Sequence, residues 1–265
     1  MIELNNIYNI DCLKFMDRMI TDNFKVDLIL TSPPYNIGVH DFDYDEYNDN
    51  MSTEDYFNFI MNVFEKFNKI LNNNGVLLWN SSFGNSNCSD YFRLISKIIT
   101  DSNFEISDRI IWKKSNAFPD DQTPNKLTRL VEDVFVFCRK NEMKTFHCNK
   151  KLSSIRPNGQ KMYSPIFNVI EAKNNDGACE LNKATYSSEL CRKLLNIYAR
   201  KEDVIFDPFI GTGTTAVACK QMGLNYIGCE ISEKQVIYAK QRINNGFVQE
   251  DVTDEKLNSL PLFLE

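Results

Sequence analysis

The stretch Val204–Ser232, VIFDPFIGTGTTAVACKQMGLNYIGCEIS, decides the fold of this chain. An apolar strand ends at Asp207, and Gly211 and Gly213 then allow a tight turn and a close approach of the backbone to a ligand. A helix with small residues follows, and a second apolar strand ends in Glu230. This succession predicts a nucleotide-binding βαβ unit within an α/β domain.

The acidic residues of this unit indicate the kind of ligand. Glu230 stands where a carboxylate can accept hydrogen bonds from ribose hydroxyls. A dinucleotide would need a third glycine for its pyrophosphate, but Ala216 occupies that position. Asp207 would repel a pyrophosphate and suits a cation, so S-adenosylmethionine, with its ammonium, sulfonium and ribose, is the expected cofactor. A tight strand-to-helix turn without a ligand is the alternative interpretation of the two glycines.

Apolar segments of strand length alternate with helical patterns along the chain, which indicates a largely parallel α/β sheet. The predicted strands are Ile7–Ile10, Val26–Leu30, Val76–Trp79, Ile106–Trp112, Val131–Cys138, Val204–Phe206 and Asn225–Cys229.

Two helices are indicated by apolar residues at three- and four-residue spacing. One is capped by Ser52 and is predicted to end at Gly75, and another runs from Ser187 to about Tyr198. Residues 142–183 have weak periodicity and are rich in Asn, Lys and Ser. We expect this segment, called the excursion below, to carry specificity, since long irregular segments in compact domains tend to be functional or disordered.

The composition excludes several classes of protein. The 265 residues are 43% hydrophobic, which is enough for a large core. No apolar run is long enough to cross a membrane and the N-terminus has no signal pattern, so we expect a cytoplasmic protein without membrane contact. The 8 cysteines lack C-x-x-C spacing and only 2 histidines occur, so no metal site is expected.

The charge is unevenly distributed. The net charge of −6 argues by itself against nucleic-acid binding, because Lys and Arg neutralise phosphates. However, Arg139–Lys161 contains seven basic residues and one acid, whereas Asp41–Asp55 contains seven acids and no base. Each segment is either a solvated face or a functional surface, and the basic one is a candidate for phosphate contacts. We expect the acidic segment to be solvated or mobile.

A second informative segment is VDLILTSPPYNIG, residues 26–38, in which an apolar strand ends at Ser32-Pro33-Pro34-Tyr35. Each proline fixes its own φ angle and restricts the residue before it, so this turn can hold hydrogen-bond acceptors rigidly. The aromatic ring that follows can stack on a base extracted from a duplex. A plain strand-ending turn with a packing Tyr is the alternative.

Together, TSPPY at 31–35 and DPFIGTGTT at 207–215 resemble the catalytic and cofactor motifs of the DNA amino-methyltransferases. The catalytic motif comes first in this chain, which resembles the beta group of that family. The resemblance implies an α/β, circularly permuted Rossmann-like methyltransferase fold, with a mostly parallel seven-stranded sheet that contains one antiparallel strand. It also implies a single catalytic domain over residues 1–265, with the excursion as its target-recognition region.

The resemblance also assigns roles to residues. The catalytic residues would be Ser32, Pro33, Pro34 and Tyr35. The residues that bind S-adenosylmethionine would be Asp11, at the adenine amine, and Asp207, Phe209, Gly211, Gly213, Thr214 and Glu230. Those expected to contact DNA are Lys144, Lys150, Lys151, Arg156 and Lys161. The family often has His-Pro where this chain has Asn182-Lys183, so these two residues receive no role.

The implied reaction is transfer of a methyl group from S-adenosylmethionine to an exocyclic amine of a flipped base, in DNA that we expect to be double-stranded. Ser at position 32 goes mostly with the cytosine-N4 enzymes of the family, and Asp with the adenine-N6 enzymes. Cytosine N4 is therefore favoured, with adenine N6 as the alternative. The motif order argues against RNA or protein amide methyltransferases, and the intact motifs argue against an inactive DNA-binding module. A cognate restriction endonuclease and a homodimer are both compatible with the sequence.

Overall fold

The computed structural model describes residues 2–36, 50–83, 88–117, 124–125, 127–177 and 185–244. Its strands and helices, in chain order, are β1 (Asn6–Asn9), α1 (Cys12–Thr21), β2 (Val26–Thr31), α2 (Thr53–Ile70), β3 (Leu71–Ser81), α3 (Cys88–Asp101), β4 (Phe104–Lys114), β5 (Val131–Arg139), β6 (Leu152–Ile155), β7 (Lys161–Tyr163), β8 (Val169–Ala172), α4 (Ser188–Tyr198), β9 (Val204–Asp207), α5 (Thr214–Met222), β10 (Asn225–Glu230) and α6 (Glu233–Asn244).

One large sheet has the strand order β1-β10-β9-β2-β3-β5-β4-β8. Within it, β5 is antiparallel to both of its neighbours, and all the other pairings are parallel. The strands β9 and β10 come late in the chain but lie between β1 and β2. The predicted α/β class, the permuted order and the single antiparallel strand are therefore confirmed.

The sheet has eight strands, so the predicted number of seven is wrong. All seven predicted strands are present, and the additional one is β8, which comes from the excursion and pairs with β4 at the sheet edge. A four-residue edge strand gives too short an apolar pattern to predict. The excursion also contains the hairpin of β6 and β7, which forms a separate two-stranded sheet.

The prediction for helix α2 is correct at its start and wrong at its end. The Ser52 hydroxyl accepts a hydrogen bond from Asp55 N at 3.1 Å, as expected for a cap. The helix ends at Ile70, so the predicted end at Gly75 is wrong. Gly75 lies inside β3, where an added Cβ would come within 2.8 Å of the carbonyl oxygen of Asp27. This glycine therefore serves close packing against β2.

Each face of the sheet has its own apolar core. In β2, Leu28 and Leu30 pack with α4, α5 and α6, while Ile29 packs with α1, α2 and α3. The result is a three-layer fold with helices on both faces of the sheet. The parallel strands β1, β10, β9 and β2 all end at one edge, which is where open α/β sheets bind ligands.

Three features of the described residues concern membranes, metals and thiols. None of the helices there is long and apolar enough to cross a membrane. No group of His, Cys, Asp and Glu in the same residues is arranged to hold a metal ion. The cysteines within the described ranges are free thiols.

Candidate active site

The two sequence motifs meet at the carboxyl edge of the sheet. In the pairing of β2 with β9, Leu28 lies opposite Ile205 and Ile29 opposite Phe206, so the two strands end side by side. The Thr31 hydroxyl donates a hydrogen bond of 2.7 Å to Asp207 Oδ1, across 176 residues of sequence. The catalytic motif and the cofactor motif are therefore joined directly.

Asp207 is the centre of a buried hydrogen-bond network. Its Oδ1 also accepts from Phe209 N at 3.0 Å, and its Oδ2 accepts from the hydroxyls of Thr215 at 2.5 Å and Tyr186 at 3.2 Å. Burial raises the pKa of Asp207, and these donors oppose that rise. The side chain is only 1% exposed, so the expectation that its charge points into the ligand pocket is wrong. The carboxylate instead stabilises the turn from the protein interior, by accepting the hydrogen bond of Phe209 N.

The glycine turn has the predicted conformation. Gly211 and Gly213 have φ angles of 51° and 86°, in the left-handed region that favours glycine. Glu230 supports the turn: its Oε2 accepts from Gly211 N and its Oε1 from Ser232 N, both at 3.0 Å. Burial raises the pKa of Glu230. Each carboxylate oxygen has a second lone pair, so Glu230 keeps the capacity to accept from a ligand.

The other residues predicted to bind the cofactor differ in their surroundings. Asp11 lies close to Glu230, because β1 and β10 pair with Asn9 opposite Glu230, and its Oδ1 caps α1 by accepting from Lys14 N at 3.0 Å. Phe209 lies partly buried at the same edge. The Thr214 hydroxyl is buried and accepts from Arg242, so its observed contact is with α6.

The catalytic motif forms a compact hydrogen-bonded turn. Ser32 Oγ lies 2.9 Å from the hydroxyl oxygen of Tyr35, which in turn lies 3.2 Å from Glu132 Oε2. The Pro34 carbonyl accepts from the Tyr56 hydroxyl at 2.8 Å. Burial and the charge of Glu132 raise the pKa of Tyr35 well above its usual value, so the phenol stays protonated. The turn thus presents Ser32 as a fixed polar group.

Sequence reasoning missed residues on β3, β4 and β5 that complete this turn. Asn80 Nδ2 donates to the Tyr35 hydroxyl at 2.8 Å and to Glu132 Oε2 at 3.0 Å. Lys114 Nζ contacts Glu132 Oε1 at 2.7 Å. The signal in the sequence is a polar residue near either end of an apolar strand, but only the pairing of the strands shows which of these residues meet.

A pocket of about 190 Å³ opens beside Tyr35. Its wall includes the aromatic side chains of Trp79 and Tyr91 and the hydroxyl-bearing residues Ser81 and Ser82. A small planar ligand with polar edges suits such a mixed lining, because ligand sites combine apolar walls with a few polar groups.

The predicted DNA-contacting residues Lys144, Lys150, Lys151, Arg156 and Lys161 are all exposed. The last four lie on or next to the β6–β7 hairpin. Arg139 differs, since its guanidinium donates to Asn68 Oδ1 and to the Asn72 carbonyl, both at 2.9 Å, and its side chain is 14% exposed. The interpretation of Arg139–Lys161 as one phosphate-binding surface is therefore wrong at Arg139.

Two sequence features lie wholly or partly beyond the described ranges. Residues 41–49 of the acidic segment are outside them, whereas Glu54 and Asp55 form the first turn of α2. Asn182 and Lys183 are also outside the described residues.

Residues 26–241 match the model of the N6/N4 DNA methylase family. The chain belongs to this family. It is a DNA amino-methyltransferase, in a group whose members modify either an adenine or a cytosine amine.

The DNA methylase also resembles individual proteins. It is 25% identical to the Type II methyltransferase M.HpaI of Haemophilus parainfluenzae, over 89% of this chain and 74% of that one. It is 26% identical to the Type II methyltransferase M.HinfI of Haemophilus influenzae, over 98% and 73%. The solved structure of the cytosine-N4-specific PvuII DNA methyltransferase superposes with a TM-score of 0.65 at 15% identity, over 96% and 90%. At that identity the superposition shows a shared fold.

The link between the two motifs of this DNA methylase can be tested at Thr31. Thr31→Val removes a hydrogen bond to a buried carboxylate, which typically costs about 1.5–3 kcal/mol, so we expect the free energy of unfolding in urea to fall by that amount. Thr31→Ser keeps the hydroxyl and should lose clearly less. Equal losses in the two variants would show that the methyl packing of Thr31 matters rather than its bond to Asp207.

Proposed function

We propose that the chain transfers the methyl group of S-adenosylmethionine to cytosine N4 of a base flipped out of double-stranded DNA. The observation that carries this proposal is the Thr31–Asp207 hydrogen bond of 2.7 Å. It fixes Ser32, the next residue, beside the glycine turn at which the cofactor is expected to bind. A methyl donor and an acceptor for the target amine would thus lie at neighbouring strand ends.

The cofactor is proposed to lie along the ends of β9, β10 and β1. Gly211 and Gly213 allow close approach to its methionine part, next to Phe209, and Asp207 and Thr214 shape that turn from inside. Glu230 accepts from the ribose hydroxyls, and Asp11 accepts from the adenine amine. The positions of these groups on adjacent strands support this orientation, because a nucleoside can span neighbouring strand ends at the edge of an α/β sheet.

The chemistry proposed for the turn is positioning. The lone pair of an exocyclic amine is delocalised into the ring, so the nitrogen must become tetrahedral before it can attack. Ser32 Oγ and the carbonyl of Ser32 or Pro33 would accept the two amine hydrogens and direct the lone pair at the methyl group. The Pro34 carbonyl is already bonded to Tyr56, so it is the weaker candidate for the second acceptor.

The transfer itself balances without a further reagent. The nitrogen lone pair would form the bond to the methyl carbon, and the electrons of the broken carbon–sulfur bond would stay on sulfur as a neutral thioether. The positively charged nitrogen would then release one proton to solvent. The Tyr35 ring would stack on the flipped base, and the pocket beside this ring supports that placement.

The choice of cytosine N4 rests on Ser32, and adenine N6 is the second candidate. The PvuII enzyme, whose fold is shared, is cytosine-N4-specific, which agrees with the first candidate. The likeness to Type II methyltransferases supports a restriction-modification system with a cognate endonuclease. We further propose one catalytic domain over residues 1–265, in which the excursion recognises the DNA target and its exposed hairpin contacts phosphates. A homodimer is compatible with this function.

Identification of the methylated base tests the proposal. Unmethylated genomic DNA treated with the purified protein and S-adenosylmethionine should contain N4-methylcytosine when its nucleosides are analysed by mass spectrometry. N6-methyladenine alone would reject the choice of base. Ser32→Ala should lower the methylation rate by about a hundred- to a thousandfold, since one preorganised hydrogen-bonding group is lost, while calorimetry shows unchanged cofactor binding. Full turnover by Ser32→Ala would place the chemistry elsewhere.

The ribose role of Glu230 predicts a pH-dependent affinity. Glu230→Ala should weaken S-adenosylmethionine binding by about 1.5–3 kcal/mol, the range for a charge-assisted hydrogen bond. Because burial raises the pKa of Glu230, the wild-type affinity should fall as the pH drops through that raised pKa, where the carboxylate gains a proton. Calorimetry at several pH values measures both effects. Glu233→Ala, an exposed residue on α6, is the control, and unchanged affinity in Glu230→Ala would exclude the ribose role.

The phosphate-binding role of the hairpin predicts a change in salt dependence. Reversing Lys150 and Lys151 to Glu should weaken DNA binding and flatten the plot of log affinity against log salt, because fewer counterions are released. Fluorescence anisotropy with labelled duplex DNA measures this slope. Reversing Lys25 and Lys240, two exposed residues just before β2 and on α6, makes the same change in net charge outside the excursion. If both double variants behave alike, only net charge matters and the hairpin is a solvated face.

A further inference from the structure

Glu132 lies behind the catalytic turn, on the far side of Tyr35 from Ser32. The four residues of this network come from neighbouring elements: Ser32 and Tyr35 follow β2, Asn80 lies on β3 and Glu132 on β5. The contacts run from Ser32 Oγ to the Tyr35 hydroxyl at 2.9 Å and from there to Glu132 Oε2 at 3.2 Å. The Tyr35 hydroxyl thus links Glu132 to Ser32, the residue proposed to hold the target amine.

The donors and acceptors of this network admit one arrangement. An ionised carboxylate can only accept, so the Asn80 atom 3.0 Å from Glu132 Oε2 must be the amide nitrogen, and this nitrogen also donates to the Tyr35 hydroxyl at 2.8 Å. Tyr35 has a single proton, which goes to the carboxylate. The contact of 2.9 Å between the two hydroxyls therefore leaves Ser32 as the donor and Tyr35 as the acceptor.

This arrangement determines what Ser32 offers to a substrate. With its own proton directed at Tyr35, Ser32 Oγ presents lone pairs on its other side. Asn80 Nδ2 approaches Ser32 Oγ at 3.4 Å, the longest of its three contacts, and is already committed to two stronger acceptors. An amine hydrogen can then be accepted without a competing hydroxyl hydrogen, which is what activation of the amine needs.

We propose that Glu132 is a positioning residue that fixes the direction of the Ser32–Tyr35 hydroxyl pair, so that Ser32 acts as a hydrogen-bond acceptor for the target amine. This inference rests on the role proposed for Ser32. Lys114 Nζ, 2.7 Å from Glu132 Oε1, supports it, because this salt bridge holds the carboxylate in place while Oε2 faces Tyr35 and Asn80. The side chains of this pair are only 16% and 14% exposed, so solvent screens the interaction little.

Glu132→Gln is the sharpest test, because it preserves size and replaces an accept-only group by one that can also donate. The Gln amide can donate to Tyr35, Tyr35 can then donate to Ser32, and the Ser32 proton is free to turn toward the substrate amine. We expect kcat to fall by about ten- to a hundredfold, the effect typical of groups that orient a reacting residue. The KM values for cofactor and DNA, and the thermal unfolding midpoint, should stay near those of the wild type.

A matched control and a second variant separate orientation from a structural role. Glu65→Gln changes another ion-paired glutamate, 2.6 Å from Lys69 on α2 and outside every site proposed above, and should leave kcat unchanged. Tyr35→Phe keeps the stacking ring and the Glu132–Lys114 pair but removes the relaying hydroxyl. It should lower kcat by a similar factor. The double variant Tyr35→Phe/Glu132→Gln should be no slower than the slower single variant, because both changes break the same link.

The measurement is the incorporation of tritiated methyl groups into a DNA duplex that the wild-type protein methylates. Unchanged kcat in Glu132→Gln or Tyr35→Phe, or effects that multiply in the double variant, would overturn the proposal. Ser32→Ala is measured in parallel to separate the two levels of inference. If Ser32→Ala is slow and Glu132→Gln is not, only the role of Glu132 fails. If Ser32→Ala turns over fully, the function proposed for Ser32 fails first.

Discussion

The buried carboxylate of Asp207 is the constraint on which the rest of the site depends. An ionised carboxylate in an apolar interior is costly unless donors surround it. Here the donors come from four places in the chain: Thr31 at the end of β2, Phe209 in the glycine turn, Tyr186 before α4 and Thr215 in α5. Satisfying one charge therefore brings together the catalytic turn, the glycine turn and two helices on one face of the sheet.

A second acid, Glu230, stabilises the glycine turn through hydrogen bonds from its backbone. Its carboxylate accepts from Gly211 N and Ser232 N, whereas Asp207 accepts from Phe209 N, so both acids stabilise the backbone of the turn. Both turns are thus held by side chains of the protein itself. In the reaction proposed above, which depends on positioning, this rigidity would favour catalysis, because little ordering of the protein would remain for the substrates to bring about.

The sequence predicts the two turns of the candidate site where the backbone geometry is decided locally. The glycines at 211 and 213 and the prolines at 33 and 34 impose their backbone angles locally, and both motifs lie where they were expected. It fails for Asp207, because whether a carboxylate faces a pocket or the interior depends on donors brought by distant elements. It fails for Gly75 and β8 for a related reason: a close strand contact and a four-residue edge strand exist only through their neighbours.

The antiparallel strand β5 explains why Glu132 and Asn80 escape local reasoning. The parallel strands β2 and β3 bring their carboxyl ends to the catalytic edge, so Ser32 and Asn80 occupy the ends of their segments. Because β5 runs the opposite way, it brings its first residues to the same edge, and Glu132 is the second residue of that strand. A polar residue at the start of an apolar strand normally indicates a solvent-exposed end. In this antiparallel strand, the same position lies beside the catalytic turn instead. The pairing of Asn80 with Val134 places Glu132 within hydrogen-bond distance of Tyr35.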